Sequence, residues 1–373
     1  MPVPLPATAP HPHARAVLTP TQPPGGTPSH AYLFHGPAGT GKRAAARQLA
    51  VALLTEGAPD PQGAGERVRR GAHPDLTWVT PSGAHELLVG DVDEAVVAAA
   101  ARTPFEARRR VFVLERVDTL IEPAANRLLK TLEEPPAYVH LILLTDHLGE
   151  VLPTIASRCQ HVRFDPLPPE RIAARLREHG VEPPAADACA RLALGDADRA
   201  LALATGDGPK VRAEVEALAG AARTGRLEQR PWKAVLKRAD RRAAEAGAAL
   251  AEAWEDDKEL LAKRDRRRAE TEHTERTRRV QRRARTRQLD LALQLTGLWF
   301  RDLAAVGWGA QDVAHHADRL DVLRAQAEGL DPQRARAAVE LVEDARESLT
   351  LNVSEELACE ALAYRLAREL AAA

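Results

Sequence analysis

The sequence is poor in the residues that mark several specialised protein classes. Only three of its 373 residues are cysteines, and they lie far apart, so neither a disulfide framework nor a paired-cysteine zinc site is indicated. No apolar run is long enough to cross a bilayer, and the proline-rich start lacks the apolar core of a signal peptide. We therefore expect a cytoplasmic protein that contacts no membrane.

An excess of charge of one sign is also absent from the chain as a whole. It contains 52 Lys and Arg against 53 Asp and Glu, which gives no global indication of a nucleic-acid partner. One segment departs from this balance, because Lys263–Arg287 holds twelve Lys and Arg but only four Asp and Glu. It fits either a solvated helix with salt bridges or a contact with nucleic acid or an acidic partner. Basic runs on long helices are common, so we take the solvated helix as the first interpretation.

A regular alternation of patterns fills the first half of the chain. Five short apolar runs, suited to buried strands, are separated by helical patterns. The runs are Ala31–Phe34, Leu76–Val79, Val111–Leu114, His140–Leu144 and His161–Phe164. This alternation predicts an α/β fold, in which a parallel sheet carries helices on both faces.

Composition divides the chain into four segments. A proline-rich stretch at Asp165–Pro169 and a turn at Gly206–Pro209 mark two of the boundaries. We predict a loose proline-rich lead-in (1–29), an α/β domain (30–165), a small helical domain (166–205) and an almost wholly helical C-terminal domain (206–373).

The first α/β unit contains a glycine-rich loop, GPAGTGKR, at Gly36–Arg43. In a phosphate-binding loop, glycines let backbone N–H groups surround phosphate oxygens, and a lysine reaches the outer phosphates. The candidate nucleotide-binding residues here are Gly36, Gly39, Thr40, Gly41 and Lys42. A Ser or Thr hydroxyl that holds magnesium should follow the lysine, but Arg43 occupies that position. The loop is therefore that of an ATPase with one part missing.

A second acidic motif follows the third apolar run. A strand at this point of a phosphate-loop protein should end in a carboxylate that holds magnesium, a role open to Glu115. In motors of this general type the next residue is usually Glu, which polarises the attacking water. Arg116 stands there instead, and an arginine stays protonated at any working pH. Two departures of this kind argue for lost hydrolysis.

Several further motifs carry a resemblance to a known family. They are SHAYLFHGPAGTGK at Ser29–Lys42, HPDL at His73–Leu76, NRLLKTLEEPP at Asn126–Pro136 and SRC at Ser157–Cys159. At these residues the chain resembles the delta-prime family of bacterial DNA polymerase III clamp-loader subunits, which are AAA+ proteins. The resemblance covers most of residues 29–205, whereas the C-terminal half matches only in its helical pattern and its length.

The resemblance implies an architecture and a set of partners. The family has an AAA+ phosphate-loop module, a small helical lid and an all-α collar that assembles a ring of five subunits. The implied partners are gamma/tau and delta subunits, the sliding clamp, and primer–template DNA reached through the complex.

The resemblance also assigns roles to residues. Arg158 matches the arginine finger that reaches ATP on a neighbouring subunit, and Ser157 and Cys159 are expected to help to place it. Thr145 matches a polar phosphate-sensing residue at a strand end. A strand-terminal hydroxyl that satisfies backbone groups is an equal alternative for Thr145.

This sequence departs from the family at two further places. Many members carry a four-cysteine zinc module where this chain has Gly57–Gly71, which lacks cysteine, so we expect a loop without zinc. Motor subunits carry a lid arginine in a G-S-x-R pattern, but here Asp198 holds that position and Arg199 comes one step later.

Two functions follow from these motifs. The first is a clamp-loader subunit that does not hydrolyse ATP, with at most weakly or structurally bound ATP or ADP. The alternative is an active AAA+ ATPase, such as a gamma/tau-like motor.

Overall fold

The computed structural model describes residues 5–23, 25–81, 87, 89–260, 263–349 and 353–371. The chain forms two compact units, Met1–Leu167 and Pro168–Ala373.

The first unit is built on a five-stranded parallel sheet in the order β2-β3-β4-β1-β5. The strands are β1 (Ala31–His35), β2 (Leu76–Val79), β3 (Arg110–Glu115), β4 (Val139–Thr145) and β5 (Gln160–Arg163). Each lies within one residue or two of an apolar run in the sequence. The predicted parallel sheet is confirmed, and the carboxyl ends of all five strands share one edge.

Helices cover both faces of this sheet. Those of the first unit are α1 (Pro12–Leu18), α2 (Lys42–Leu54), α3 (Pro61–Arg70), α4 (Val89–Val92), α5 (Ala98–Ala100), α6 (Glu122–Glu133) and α7 (Pro153–Ala156), with a π-helical turn at Asp93–Val97 between α4 and α5.

Strand side chains alternate between two hydrophobic clusters, as the two-residue period of a strand requires. Leu141 and Leu143 pack in the cluster with Leu128 of α6, whereas Ile142 packs in the opposite cluster with Leu49 of α2. All seven residues of β4 are buried, which explains its nearly continuous apolar sequence.

The prediction of a loose lead-in is wrong for residues 5–23. This segment contains α1, whose Ala14 and Leu18 are fully buried in the same cluster as Phe34. Pro12 stands in the first turn of α1, where the missing N–H costs nothing. The prolines of this segment predict irregular structure, but Pro12 begins a helix.

The prediction of a loop at Gly57–Gly71 is also wrong for most of this segment, because α3 occupies ten of its residues. The Asp60 side chain accepts a hydrogen bond from the Gly63 N–H at the start of this helix. Gly71 ends the helix in the left-handed region with φ of 74°. The Pro and Gly residues therefore act as helix boundary signals.

All secondary-structure elements described in the second unit are helices, as the sequence predicts. Its helices are α8 (Pro169–Glu178), α9 (Pro183–Leu192), α10 (Ala197–Ala204), α11 (Gly208–Thr224), α12 (Trp232–Leu260), α13 (Lys263–Gly307), α14 (Leu320–Ala327), α15 (Pro332–Ser348) and α16 (Glu355–Leu370). Trp232, Trp299 and Phe300 are among its fully buried side chains.

Polar contacts tie α9 to the turn after α13, and α10 to α13 itself. Arg191 donates to the carbonyl oxygens of Asp312 and Ala314, each at 2.9 Å. Arg199, whose lid position departs from the family pattern, donates to Gln294 Oε1 of α13 at 2.7 Å. The division of this unit into a lid and a collar remains a prediction.

Candidate functional site

The glycine loop connects the carboxyl end of β1 to the start of α2, the position at which parallel sheets bind phosphate groups. At Gly36, φ is 138°, and a Cβ would lie 1.9 Å from the Phe164 carbonyl oxygen. Gly41 has a φ of 88° and directly precedes α2. Gly36 has no room for a side chain, and the left-handed backbone at Gly41 favours glycine, so the loop retains the backbone of a phosphate cradle.

Lys42 is held by the loop and by the residue that follows β4. Its Nζ lies 2.7 Å from Asp146 Oδ1 and donates to the carbonyl oxygen of Pro37 at 2.6 Å and to that of Gly36 at 2.5 Å. Only 7% of the side chain is exposed. A nucleotide that used this amine would have to replace these contacts.

Arg43 forms a two-point ion pair with Glu115. Its Nε donates to Glu115 Oε1 at 2.7 Å, and its Nη2 contacts Oε2. Trp78 Nε1 donates to the same Oε1 at 2.6 Å. The carboxylate predicted to hold magnesium is thus 10% exposed, and both of its oxygens accept hydrogen bonds from protein groups.

The role of Trp78 could not be read from the sequence. It lies on β2 opposite Val113 of the adjacent β3, and Arg47 lies 4.6 Å above its ring. A tryptophan in a short apolar run indicates burial. Which carboxylate its N–H reaches depends on the pairing of the two strands.

The segment after β3 provides the partner of Thr145. Arg116 has a φ of 55° and begins the 3₁₀ turn Val117–Thr119. The Thr145 hydroxyl donates to Asp118 Oδ1 of this turn at 2.7 Å and accepts from the His147 N–H at 3.0 Å. These are the contacts of a strand-terminal hydroxyl, one of the two alternatives for Thr145.

Thr40 makes a similar local contact. Its hydroxyl donates to the Pro37 carbonyl oxygen at 2.9 Å, and the residue is 2% exposed. It therefore stabilises the loop conformation from within.

Arg158 lies on the surface directly after α7. Its Nη1 donates to the Thr154 carbonyl oxygen at 2.9 Å, and its Nη2 lies 2.7 Å from Glu133 Oε1. Glu133 is the last residue of α6, so the fold brings the NRLLKTLEEPP and SRC motifs together. The side chain of Arg158 is 37% exposed, and the described structure holds it by one carboxylate and one carbonyl.

The two neighbours of Arg158 differ in environment. Ser157 caps α7, and its hydroxyl donates to the Thr154 carbonyl oxygen at 3.3 Å. Cys159 is buried in the cluster that also contains Ile155, and this burial raises the pKa of its thiol to about 12. A neutral, buried thiol anchors the segment by packing and does not act as a nucleophile.

In the described parts of the chain, no group of three or more His, Cys, Asp or Glu side chains is placed to hold a metal ion. Across the same residues, no helix has both the length and the apolar content needed to span a bilayer.

The sheet order and the glycine loop between β1 and α2 define a phosphate-loop module of the AAA+ type. Residues 21–168 match the family described as "DNA polymerase III, delta subunit". The resemblance to the delta-prime clamp-loader family that the motifs indicated is confirmed for this part of the chain.

Individual relatives agree with this assignment. The chain is 38% identical over 160 residues to DNA polymerase III subunit delta' of Bacillus subtilis, a match covering 42% of this chain and 48% of the relative. It is 38% identical over 136 residues to the Pseudomonas aeruginosa subunit delta', covering 35% and 42%. Subunit tau of B. subtilis is 34% identical over 158 residues, covering 40% and 27%. The matched region is thus about half the length of the curated delta' relatives or less.

Among solved structures, a gamma subunit-related protein of Thermotoga maritima matches 92% of this chain and 95% of its own, at 14% identity and a TM-score of 0.45. This similarity is too low to carry an argument, and the fold assignment depends on the sheet order and the loop.

Proposed function

We propose that this chain is a clamp-loader subunit of the delta-prime type, which does not hydrolyse ATP and helps to load a sliding clamp on primed DNA. The observation that carries the proposal is the ion pair between Arg43 and Glu115. It puts a protein cation on the carboxylate that an ATPase would use for magnesium.

The chemistry of hydrolysis explains why this pair matters. Magnesium bridges the outer phosphates and needs a hydroxyl from the loop and a free acidic oxygen from the second motif. Arg43 stands where the loop hydroxyl should be, and its guanidinium contacts both oxygens of Glu115, so neither ligand for magnesium is free. A nucleotide without magnesium still finds the backbone of Gly39 and Gly41, so weak or structural binding of ADP or ATP is part of the proposal.

The chemical contribution of the subunit, in this proposal, is Arg158. An exposed guanidinium at a module surface can reach a phosphate on another chain and stabilise the charge that develops during phosphoryl transfer. Its present ligands are a half-exposed carboxylate and one carbonyl, and such contacts are exchanged at small cost. Ser157 and Cys159 fix the backbone from which it projects.

The proposed partners are a gamma/tau-like ATPase, a delta subunit and the sliding clamp, in a ring of five subunits that engages primer–template DNA. The relatives named delta', tau and gamma/tau support a place among DNA polymerase III subunits. Co-purification of the chain with candidate gamma/tau and delta subunits tests the assembly.

The test of the arginine role is ATP turnover by a reconstituted loader that carries Arg158→Ala in this chain. Removal of an arginine finger lowers turnover at the affected site by about a thousandfold or more. Arg163→Ala is the matched control, because Arg163 is exposed on the same unit and pairs with Asp165 at 3.0 Å. Equal turnover by the Arg158→Ala and control loaders would contradict the proposal.

An active gamma/tau-like motor is the second candidate, favoured by the 33% identity to gamma/tau subunits over 160 residues. It predicts ATP turnover by the purified chain that Lys42→Ala abolishes. Arg43 and Arg116 speak against it, since neither can replace the hydroxyl or the base of a motor.

A further inference from the structure

Helices α12 and α13 form an antiparallel two-helix arm in the second unit. Arg285 pairs with Asp240 at 2.7 Å, a Cβ on Gly247 would lie 2.2 Å from the Gln281 side chain, and the rings of Trp254 and His273 stack 4.6 Å apart. The partner numbers fall as the α12 numbers rise, which defines the antiparallel register. We call residues 240–260 and 263–288 the arm.

The arm has little hydrophobic core. Among the side chains that the structure describes, the buried hydrophobic residues stop at Ala239 and resume at Leu289. The α12 portion of the arm, at 1.5 Å per residue, is about 30 Å long. Among its described side chains, the arm therefore has no buried hydrophobic residue along this length.

The α13 side of the arm concentrates arginine. Residues 276–287 contain seven arginines and no Lys, Asp or Glu, in a chain whose total formal charge is −1. Arg282, Arg283 and Arg287 have partners within the protein, and Arg285 pairs with Asp240 and Glu355.

The other three arginines differ from these four in their contacts with described residues. Arg276 and Arg278 are exposed and Arg279 is half-buried, and none of the three forms an ion pair with a described residue. Arg276 and Arg279 are three residues apart and lie on one face of α13, whereas Arg278 lies on roughly the opposite side of the helix from Arg276, so the three charges surround one turn of the arm. The first interpretation of this segment, a solvated helix with salt bridges, accounts for the four arginines of residues 276–287 that have partners but not for these three.

The side chains of the arm favour a phosphate backbone over a protein surface. Protein interfaces need apolar or aromatic anchors at their centre. All large exposed hydrophobic residues of the described chain lie outside the arm; they are Phe105, Leu148, Leu194, Trp308, Val313, Val353, Leu357 and Tyr364. A guanidinium fork matches phosphate oxygens at two points, and phosphate contacts alone can supply non-specific affinity for DNA.

We propose that the arm binds the phosphate backbone of double-stranded DNA without reading its sequence, with Arg276, Arg278 and Arg279 as principal contacts. This inference does not depend on the ATPase chemistry proposed for Arg158. It is tested by direct binding of duplex DNA to this chain.

The test measures binding of the full-length chain to a fluorescently labelled duplex at several salt concentrations. The arm variant carries Arg276→Gln, Arg278→Gln and Arg279→Gln, because Gln keeps a high helix propensity. The control variant carries Arg175→Gln, Arg226→Gln and Arg368→Gln, which removes the same charge from exposed positions elsewhere in the unit. Circular dichroism and thermal unfolding establish that both variants are folded.

We expect the arm variant to bind the duplex at least tenfold more weakly at low salt, and the control to change little. Each lost phosphate contact should also lower the salt dependence of log K by about 0.9. If the arm variant does not fold, replacement of the same arginines by Lys keeps the charge and should retain most of the binding.

Three outcomes would overturn the proposal. One is a wild-type chain that does not bind duplex DNA at low salt. Another is equal loss of binding in the arm and control variants, which would indicate a general charge effect. The last is unchanged DNA binding by the arm variant together with lost retention on a polyglutamate column, which would assign the arm to an acidic protein partner.

Discussion

Two arginine–glutamate pairs in the first unit have the same chemistry and different surroundings. Glu115 is 10% exposed and receives Arg43 at two points as well as the Trp78 N–H. Glu133 is 50% exposed and receives Arg158 at one point. Trp78 is half-buried and Arg43 is 70% exposed, but together they place three donors on the nearly buried Glu115 carboxylate. Such a carboxylate is harder to release than Glu133, whose single exposed contact exchanges readily with water or with another anion.

The difference in exposure between Glu115 and Glu133 gives the two arginines different roles in the module. At the glycine loop, the ion pair closes the site to magnesium. At the SRC motif, the ion pair keeps a guanidinium at the surface in a defined position. Four predictions test this comparison, from the largest expected effect to the smallest.

Glu115→Ala should lower the free energy of unfolding by about 2 kcal/mol, because it leaves the half-buried Trp78 N–H without its acceptor, while the 70% exposed Arg43 guanidinium returns to water. Urea denaturation of the purified chain measures this change. A loss below about 0.5 kcal/mol would show that the contacts of Glu115 stabilise the fold no more than an ordinary surface ion pair does.

Arg43→Thr combined with Arg116→Glu restores the loop hydroxyl and the second acid. It also frees the Glu115 carboxylate, so magnesium–ATP should bind at least about tenfold more tightly, a gain of about 1.4 kcal/mol. Isothermal titration with and without magnesium measures it. Arg163→Thr is the control, and equal affinity in all three proteins would mean that Arg43 does not close the site.

Trp78→Phe keeps the ring in place and removes one donor to Glu115. We expect a loss of about 1 kcal/mol in the free energy of unfolding, the usual net value of one hydrogen bond. The double variant with Glu115→Ala should lose less than the sum of the two single changes, because both remove the same contact. Strict additivity would contradict the contact.

Glu133→Gln should change the free energy of unfolding by less than about 0.5 kcal/mol, since it removes a half-exposed ion pair. Thermal unfolding beside Glu115→Gln gives the direct comparison. A larger loss for Glu133→Gln than for Glu115→Gln would reverse the ranking on which the two roles depend.

Much of this fold follows from local sequence signals. Each strand lies within one or two residues of an apolar run, most clearly β4, which is buried along its whole length and is therefore almost continuously apolar. Gly36–Arg43 lies between β1 and α2 as its motif requires. The errors, at α1 and α3, came from prolines and glycines that mark helix boundaries as often as loops.

The partners of the site residues were beyond sequence reasoning. The contacts of Glu115 with Trp78, and of Arg158 with Glu133, join residues on different elements. Periodicity indicates which face of an element is apolar, but it does not identify which polar side chain lies opposite another. The motifs thus located Arg43 and Arg158. Only the fold showed that the partner of Arg43 is a nearly buried carboxylate and that the partner of Arg158 is an exposed one.

The central claim is that the subunit's own loop is inactive while its Arg158 serves a neighbour's site. The most direct measurement compares ATP turnover by two reconstituted loaders, one carrying Lys42→Ala in this chain and the other Arg158→Ala. We predict unchanged turnover with Lys42→Ala and a marked fall with Arg158→Ala. A fall with Lys42→Ala and unchanged turnover with Arg158→Ala would contradict the account.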